Sequence, residues 1–248
     1  MQLSHRQKTG IVTAFALIAF ISVFFIAPIP QDPSYHQFAD QRNIFGVPNF
    51  WNVISNVGFL AVGTAGLIKI RAMQNASGSF TFFYAGIFLT SAGSAWYHLV
   101  PSNASLIWDR IPMSVAFSSL LSAVIADRIN PRAEKLLLFP LLALAVLATL
   151  YWYYTERQGA GDLRFYGFVQ FGTMLFIPLI FLLFREGKIR GVSFLFMLVF
   201  YVAAKLCESD DECLLDYTGL SGHSWKHLLA AIAVSPMLHP KAFRSSTV

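Results

Sequence analysis

The stretch FTFFYAGIFLTSAGSAWYHL, residues 80–99, sets the fold class of this chain. A helix that crosses the hydrocarbon core of a bilayer needs about 20 predominantly apolar residues, and this stretch supplies them. Seven similar runs accompany it, the last of them short: 10–29, 51–70, 107–126, 135–154, 167–184, 190–207 and 222–238. The sequence therefore predicts an all-α, polytopic membrane helix bundle.

The composition excludes both an ordinary soluble domain and a disordered chain. Of the 248 residues, 56% are hydrophobic and only 12% are charged. The formal net charge is +5, but the basic residues lie in short loops between the apolar runs. Basic residues in such loops set the orientation of a membrane protein, so we expect no nucleic-acid partner.

Lysine and arginine concentrate in alternate loops of the predicted bundle. Basic residues close to membrane helices stay in the cytoplasm, so this alternation predicts that both termini are cytoplasmic. The loop between the seventh and eighth runs is acidic instead, and the loop with Arg157 and Arg164 is an exception to the pattern. The alternating groups are Arg6 and Lys8; Lys69 and Arg71; Arg128, Arg132 and Lys135; Arg185, Lys188 and Arg190; and Lys241 and Arg244.

The first apolar run is interpreted as an uncleaved signal anchor. Arg6 and Lys8 precede it, as basic residues precede a signal peptide. However, the run is long, and no clear small-residue cleavage site follows it. We therefore prefer the anchor to a cleaved signal peptide.

Three histidines at the ends of apolar runs are the strongest functional signal. An ionisable side chain is costly there, and by default it marks a functional site. His223 and His227 stand four residues apart, so they share one helix face and can present two imidazoles to one metal ion. In the predicted topology His98 lies on the same, non-cytoplasmic side. The set predicts a zinc site with a position open for water, although one histidine alone would favour a satisfied interfacial side chain.

Ser94 and Asp109 are the candidate catalytic residues. Ser94 lies one helical turn before His98, and Asp109 follows His98 after a short loop. A carboxylate beside the water can act as a general base and return the proton to a leaving amine. Ser94 can bind the water or the developing oxyanion, or it can simply join two helices by a hydrogen bond.

The motifs resemble the three signatures of the alkaline ceramidases. They are Ser94-Ala-Trp-Tyr-His98, Asp109-Arg-Ile-Pro-Met113 and His223-Ser-Trp-Lys-His227. Residues 49–56, NFWNVISN, also resemble the start of the first helix in that family. The family belongs to a superfamily of seven-helix membrane hydrolases that includes the adiponectin receptors. The resemblance covers about residues 35–238.

The resemblance implies a function and a division of the chain. The function is hydrolysis of the ceramide amide to a sphingoid base and a fatty acid, with a membrane lipid as the partner. Residues 1–34 would be the signal-anchor helix and linker, and residues 35–248 a seven-helix zinc hydrolase core with its site on the exterior, periplasmic or lumenal side. In that core zinc is held by three histidines, with a serine and an aspartate around the zinc-bound water, here His98, His223, His227, Ser94 and Asp109.

The sequence departs from the family at two places. Eukaryotic members carry an acidic segment before the first core helix, which is linked to calcium. The nearest candidate here is Asp40, and Asn49 stands where those enzymes usually have Glu, so we expect no high-affinity calcium site. Arg110 follows Asp109 where ceramidases often have Glu, so the head-group contacts of the family are not carried over.

Three questions stay open at the level of the sequence. The main reading is a zinc-dependent lipid amidase, and the alternative is a seven-helix receptor or lipid-sensing protein with a structural metal site. Cys207 and Cys213 flank the acidic loop, and they are either a disulfide or free thiols. Three asparagines near the outer surface either support the metal site or join helices: Asn49, Asn52 and Asn56.

Overall fold

The computed structural model describes residues 3–74 and 76–238. Over these residues the chain is all-helical, which confirms the predicted fold class. Lys241 and Arg244, which belong to the predicted charge pattern, lie outside the described residues. The helices are α1 (His5–Ser22), α2 (Phe50–Ile54), α3 (Val57–Arg71), α4 (Gly78–Leu99), α5 (Asn103–Arg128), α6 (Ala133–Arg157), α7 (Arg164–Leu183), α8 (Gly191–Ser209), α9 (Asp211–Thr218) and α10 (Gly222–Val234).

Six segments of the described chain are long and apolar enough to cross a membrane. They are α1 with the 3₁₀ turn that follows it, α2 together with α3, and each of α5, α6, α7 and α8. The helices that carry the three histidines, α4 and α10, are not among these six. α10 has only 13 residues, while α4 buries Thr90, Ser94 and His98 in the protein interior. Polar side chains that face the interior of a bundle do not require an apolar helix surface.

The eight predicted runs all correspond to helices, but one of them is broken. The run 51–70 was expected to be a single helix, and it divides at Ser55 and Asn56 into α2 and α3. Both side chains bond back to the Asn52 carbonyl oxygen, at 3.2 Å from Ser55 Oγ and 2.8 Å from Asn56 Nδ2. Such bonds compete with the hydrogen bonds of the helix backbone, which explains the break.

Two boundaries also differ from the sequence prediction. α1 begins at His5 rather than residue 10, because Ser4 and Gln7 form a capping box at its start. The loop between the seventh and eighth runs was expected to be irregular, and it contains α9, which ends at Gly219 in the left-handed conformation. Cys207 and Cys213 are free thiols in this arrangement.

Close backbone contacts set the position of the candidate site. A Cβ atom on Gly93 of α4 would lie 2.0 Å from the Trp108 carbonyl oxygen of α5, so only glycine allows this approach. A Cβ atom on Gly222 of α10 would lie 1.8 Å from the Cys207 carbonyl oxygen of α8. The first contact brings Ser94 towards Asp109, and the second brings the first turn of α10 against the end of α8.

Candidate metal centre

The structure brings His98, His223 and His227 together in one buried cluster. His98 comes from the last turn of α4, and the other two come from the first two turns of α10. Their ring centroids are 4.7 Å, 4.9 Å and 4.9 Å apart, which is nearly an equilateral triangle. One possible ligand atom from each ring lies within 4.8 Å of the other two. The cluster is therefore compact enough for three imidazoles to turn towards one metal ion.

The hydrogen bonds of the rings fit a metal-binding role. His98 Nδ1 and Nε2 are both buried and have no hydrogen-bond partner, which is unusual for buried polar atoms. His227 Nδ1 is bonded to the Ser55 hydroxyl at 2.8 Å, which leaves Nε2 for another partner. This arrangement is typical of metal ligands, because the bond to one ring nitrogen orients the other. Three imidazoles suit zinc, but also several other transition metals.

His223 is the exception in this cluster. Its Nε2 lies 2.8 Å from Lys226 Nζ, and its Nδ1 lies 3.4 Å from the same atom. The lysine ammonium is also bonded to Glu208 Oε1 at 2.7 Å, so it keeps a partner without His223. Metal binding by His223 Nε2 therefore requires that Lys226 gives up one contact and retains its ion pair with Glu208.

The asparagines of residues 49–56 support this centre and also join helices. Asn49 Nδ2 donates to the His98 carbonyl oxygen at 2.8 Å. Asn52 Oδ1 accepts from the hydroxyls of Ser221 and Ser224 at 3.0 Å and 2.8 Å, which ties α2 to the start of α10. Asn49 thus holds the backbone at the end of α4, and Asn52 holds the start of α10 through two serine side chains. Asn56 donates to the Asn52 and Val53 carbonyl oxygens of its own segment. The contact with a histidine ring comes from Ser55. Ser55 was not predicted as a site residue, although it lies three residues after Asn52.

Asp109 and Ser94 lie on facing turns of α5 and α4, beside the histidine cluster. Both are buried, and the Ser94 side chain interacts with the Asp109 carboxyl group. Both line the same cavity as His227. The structure therefore brings the two candidate catalytic residues to the wall of a cavity that also reaches the histidine cluster.

This cavity has the size and character of a lipid-binding site. Its volume is about 650 Å³, and most of the side chains that line it are apolar. Its wall includes Ala19, Ser22 and Val23 of α1 and the turn after it, so the N-terminal helix encloses part of the cavity. The charged side chains of the lining lie near the histidine cluster and the start of α7. They are Asp109, Arg110, Arg164, Lys205, Glu208 and Lys226.

Glu208 lies just beyond the predicted run 190–207, in the loop expected after it, and that boundary is wrong because the helix continues to Ser209. Glu208 belongs to α8, and it accepts from Lys205 and Lys226, each at 2.7 Å. Its partner Lys226 lies within the motif of the second and third histidines, but no sequence pattern predicts the ion pair. The two residues are 18 positions apart on different helices, so only the packing of α8 against α10 joins them.

Asp40 already has a cationic partner in the structure. Arg42 donates to it from Nε at 2.8 Å, and the Arg42 guanidinium also reaches the Gly219 carbonyl oxygen at 2.7 Å. Burial alone would raise the pKa of Asp40, but hydrogen bonds from the side chain and backbone of Arg42 outweigh it and hold this pKa below its usual value. The pair fastens the segment before α2 to the turn before α10.

The comparisons with known proteins agree with this geometry. The family model described as Ceramidase matches residues 45–243, which is most of the chain and includes all five candidate site residues. No curated protein and no solved structure matches the chain. On the strength of that match, with the buried histidine cluster and the helical bundle that holds it, this chain belongs to the ceramidase family.

Proposed function

We propose that this protein is an integral-membrane, zinc-dependent amidase that hydrolyses ceramide to a sphingoid base and a free fatty acid. Membership of the ceramidase family supports the reaction class. One observation carries the proposal for the site itself. The three buried histidines form one cluster in which both nitrogens of His98 are unpartnered, and His227 lines the same apolar cavity as Asp109, which is large enough for a lipid.

The residues divide the work of amide hydrolysis between them. His98, His223 and His227 would hold a zinc ion, which would supply Lewis-acid chemistry at the amide carbonyl. Asp109 takes a proton from the attacking water and returns it to the leaving amine. Ser94 donates its one hydroxyl hydrogen to the Asp109 carboxylate, and it can turn this hydrogen to the developing oxyanion once Asp109 is protonated. The apolar wall binds the lipid chains and keeps bulk water from the reacting atoms.

The alternative is a seven-helix receptor or lipid sensor in which the metal is structural. A structural zinc site is closed by a fourth protein ligand, whereas a catalytic site keeps that position open. The cluster found among the described residues contains three ligands, and Asp109 interacts with Ser94 beside it. This favours the enzyme over the receptor.

The first prediction concerns the metal. Purified protein should contain about one zinc per chain, measured by elemental analysis. A double variant, His223→Ala with His227→Ala, should lose it, because a single imidazole remains. Ser55→Ala should weaken zinc affinity by about 10- to 100-fold, since His227 loses the bond that orients its ring.

His5→Ala provides the control for this experiment. His5 is exposed and bonds to the Ile129 carbonyl oxygen at the other end of α5, so its loss should leave the zinc content unchanged. Full zinc occupancy in the double variant would contradict the assignment of the ligands.

The second prediction concerns Asp109. Asp109→Asn keeps the size of the side chain but removes the base, so fatty-acid release from ceramide should slow by about a hundredfold to ten-thousandfold. Ser94→Ala should cost less, because it removes one hydrogen bond. Zinc content should persist in both variants if neither residue is a ligand.

The matched control is Asp216→Asn, which makes the same change at an exposed position on α9. It should keep the wild-type rate. Unchanged turnover in Asp109→Asn would remove Asp109 from the mechanism. Failure of the zinc-loaded wild type to hydrolyse any N-acyl lipid would favour the receptor.

We propose that the reaction does not depend on calcium, because Arg42 already occupies the Asp40 carboxylate. Activity should survive a calcium-selective chelator, which is the third prediction. The low pKa of Asp40 means that the pair stabilises the fold at neutral pH, and that this contribution is lost as the pH falls through the pKa of folded Asp40.

Arg42→Met should therefore lower the thermal midpoint in detergent at pH 7, and the difference from wild type should shrink at acidic pH. Activity that disappears in the chelator and returns only with calcium would refute this proposal.

We propose that residues 1–34 form an anchor and linker, that residues 35–248 form the core, and that the site faces away from the cytoplasm. The two native cysteines offer a direct test of the orientation, because Cys213 on α9 is exposed. In Cys207→Ser protein, Cys213 should react with an impermeant thiol reagent in intact cells. In a cysteine-free chain, Arg132→Cys between α5 and α6 should react only after lysis. The reverse pattern would invert the topology.

A further inference from the structure

Arg110 is a buried cation that the proposed mechanism does not use. It follows Asp109 on α5 and is only 5% exposed. Its guanidinium lies over three aromatic rings, at 4.1 Å from the centroid of Trp152, 4.7 Å from Tyr166 and 5.6 Å from Tyr35. Nη2 donates to Gln31 Oε1 at 2.6 Å. These contacts fix the plane of the guanidinium, but they do not neutralise its charge.

Arg110 differs from the other cations around the cavity because it has no ion-pair partner. Among the described residues, no carboxylate oxygen lies within 4.0 Å of it, and Nη1 is buried without a hydrogen-bond partner. Arg164 is paired with Asp162 at 2.7 Å. Lys205 and Lys226 are each paired with Glu208 at 2.7 Å.

The aromatic rings do not compensate fully for this burial. A cation over an aromatic ring gains less free energy than the effective cost of burying an ion in a protein. Asp109 attracts Arg110 through space, but the two groups form no ion pair within 4.0 Å, and Asp109 interacts with Ser94. An unpaired cation inside a membrane bundle is a functional-site hypothesis, and a buried donor without a partner requires an explanation.

The position and chemistry of Arg110 indicate which ligand group would pair with its charge. Arg110 lines the same cavity as Asp109, so a lipid in the cavity reaches both. The planar guanidinium suits carboxylate, phosphate and other oxyanions, which accept two parallel hydrogen bonds. Two lysines at the same cavity share one glutamate, and the residues that line the cavity include more cations than anions. A neutral hydroxyl could accept one hydrogen bond, but it would leave the charge unpaired.

We propose that Arg110 binds an anionic oxygen on the head of the lipid substrate, so that the site prefers N-acyl lipids with an anionic head group over neutral ceramide. This inference rests on the proposed function, because it names the substrate class of that amidase. It assigns to Arg110 a binding role that determines specificity, while the chemistry stays with Asp109 and the zinc.

The test compares two lipids with identical chains, ceramide and ceramide 1-phosphate, in mixed detergent micelles. Zinc-loaded wild-type protein should release fatty acid from the phosphate-bearing lipid with the higher kcat/KM. Arg110→Met should reduce kcat/KM for that lipid by about 10- to 150-fold, mainly through KM, because a hydrogen-bonded charge contributes about 1.5–3 kcal/mol. The rate on neutral ceramide should change much less. Arg110→Lys should recover part of the loss, because lysine restores the charge but not the planar pair of hydrogen-bond donors.

Arg157→Met is the matched control, because Arg157 is an exposed cation 5.9 Å from the ring of Tyr153. It should leave the ratio between the two lipids unchanged. If Arg110 only fastens the linker to α5 through Gln31, Arg110→Met will weaken both reactions equally and lower thermal stability, which overturns the inference. Wild-type protein without any preference for the phosphate-bearing lipid also overturns it, whether or not the variants fold.

A binding measurement separates this inference from the proposed function. Metal-stripped full-length protein should bind fluorescent ceramide 1-phosphate at least about tenfold more tightly than fluorescent ceramide, and Arg110→Met should abolish the difference. If neither lipid is hydrolysed but this Arg110-dependent preference persists, the amidase proposal fails and the head-group inference stands. If ceramide is hydrolysed with zinc and the metal-stripped protein binds both lipids equally, the amidase stands and the inference fails.

Discussion

The burial of three imidazole rings at one end of a membrane bundle is the constraint on which the rest of this structure depends. Buried polar rings need hydrogen-bond partners that fix their orientation, and their convergence on one point requires an explanation. The short helix α2 meets the first need, since Ser55 bonds to His227 and Asn49 bonds to the backbone of His98. Asn52 fixes the start of α10 through two serine hydroxyls. The break between α2 and α3 places the side chains of residues 49–55 beside the histidine cluster. It therefore contributes to the candidate site as well as to the membrane-spanning segment.

The close approach of helices is the second requirement, and glycine meets it at two points. Gly93 lets α4 and α5 touch beside Ser94 and Asp109, and Gly222 lets α10 meet α8 beside His223. The α8 contact also brings Glu208 to Lys226, so that a cation next to the histidine cluster is paired. The polar groups of the site are thus held by backbone packing on both sides, while the cavity between them stays open to lipid chains.

Hydropathy and helical spacing could predict the bundle and the face shared by His223 and His227, because both depend on residues close together in the sequence. The same information could not predict the break at Ser55 and Asn56, where side chains bond to the backbone instead of continuing the helix. It also could not reveal the surroundings of Arg110, since Tyr35, Trp152 and Tyr166 come from three distant segments. Contacts of that kind depend on tertiary packing, and hydropathy averaged along the sequence does not predict them.

The most direct measurement of the central claim is zinc-dependent cleavage by the wild-type protein. Purified protein would be stripped of metal with a chelator, divided, and resupplied with zinc in one half, and both products would be quantified from ceramide in detergent. We expect no cleavage in the stripped half, and equal amounts of fatty acid and sphingoid base in the zinc-loaded half. Equal cleavage in both halves would contradict the role of the metal. The absence of cleavage in a half with zinc fully bound would contradict the assignment of the protein as an amidase.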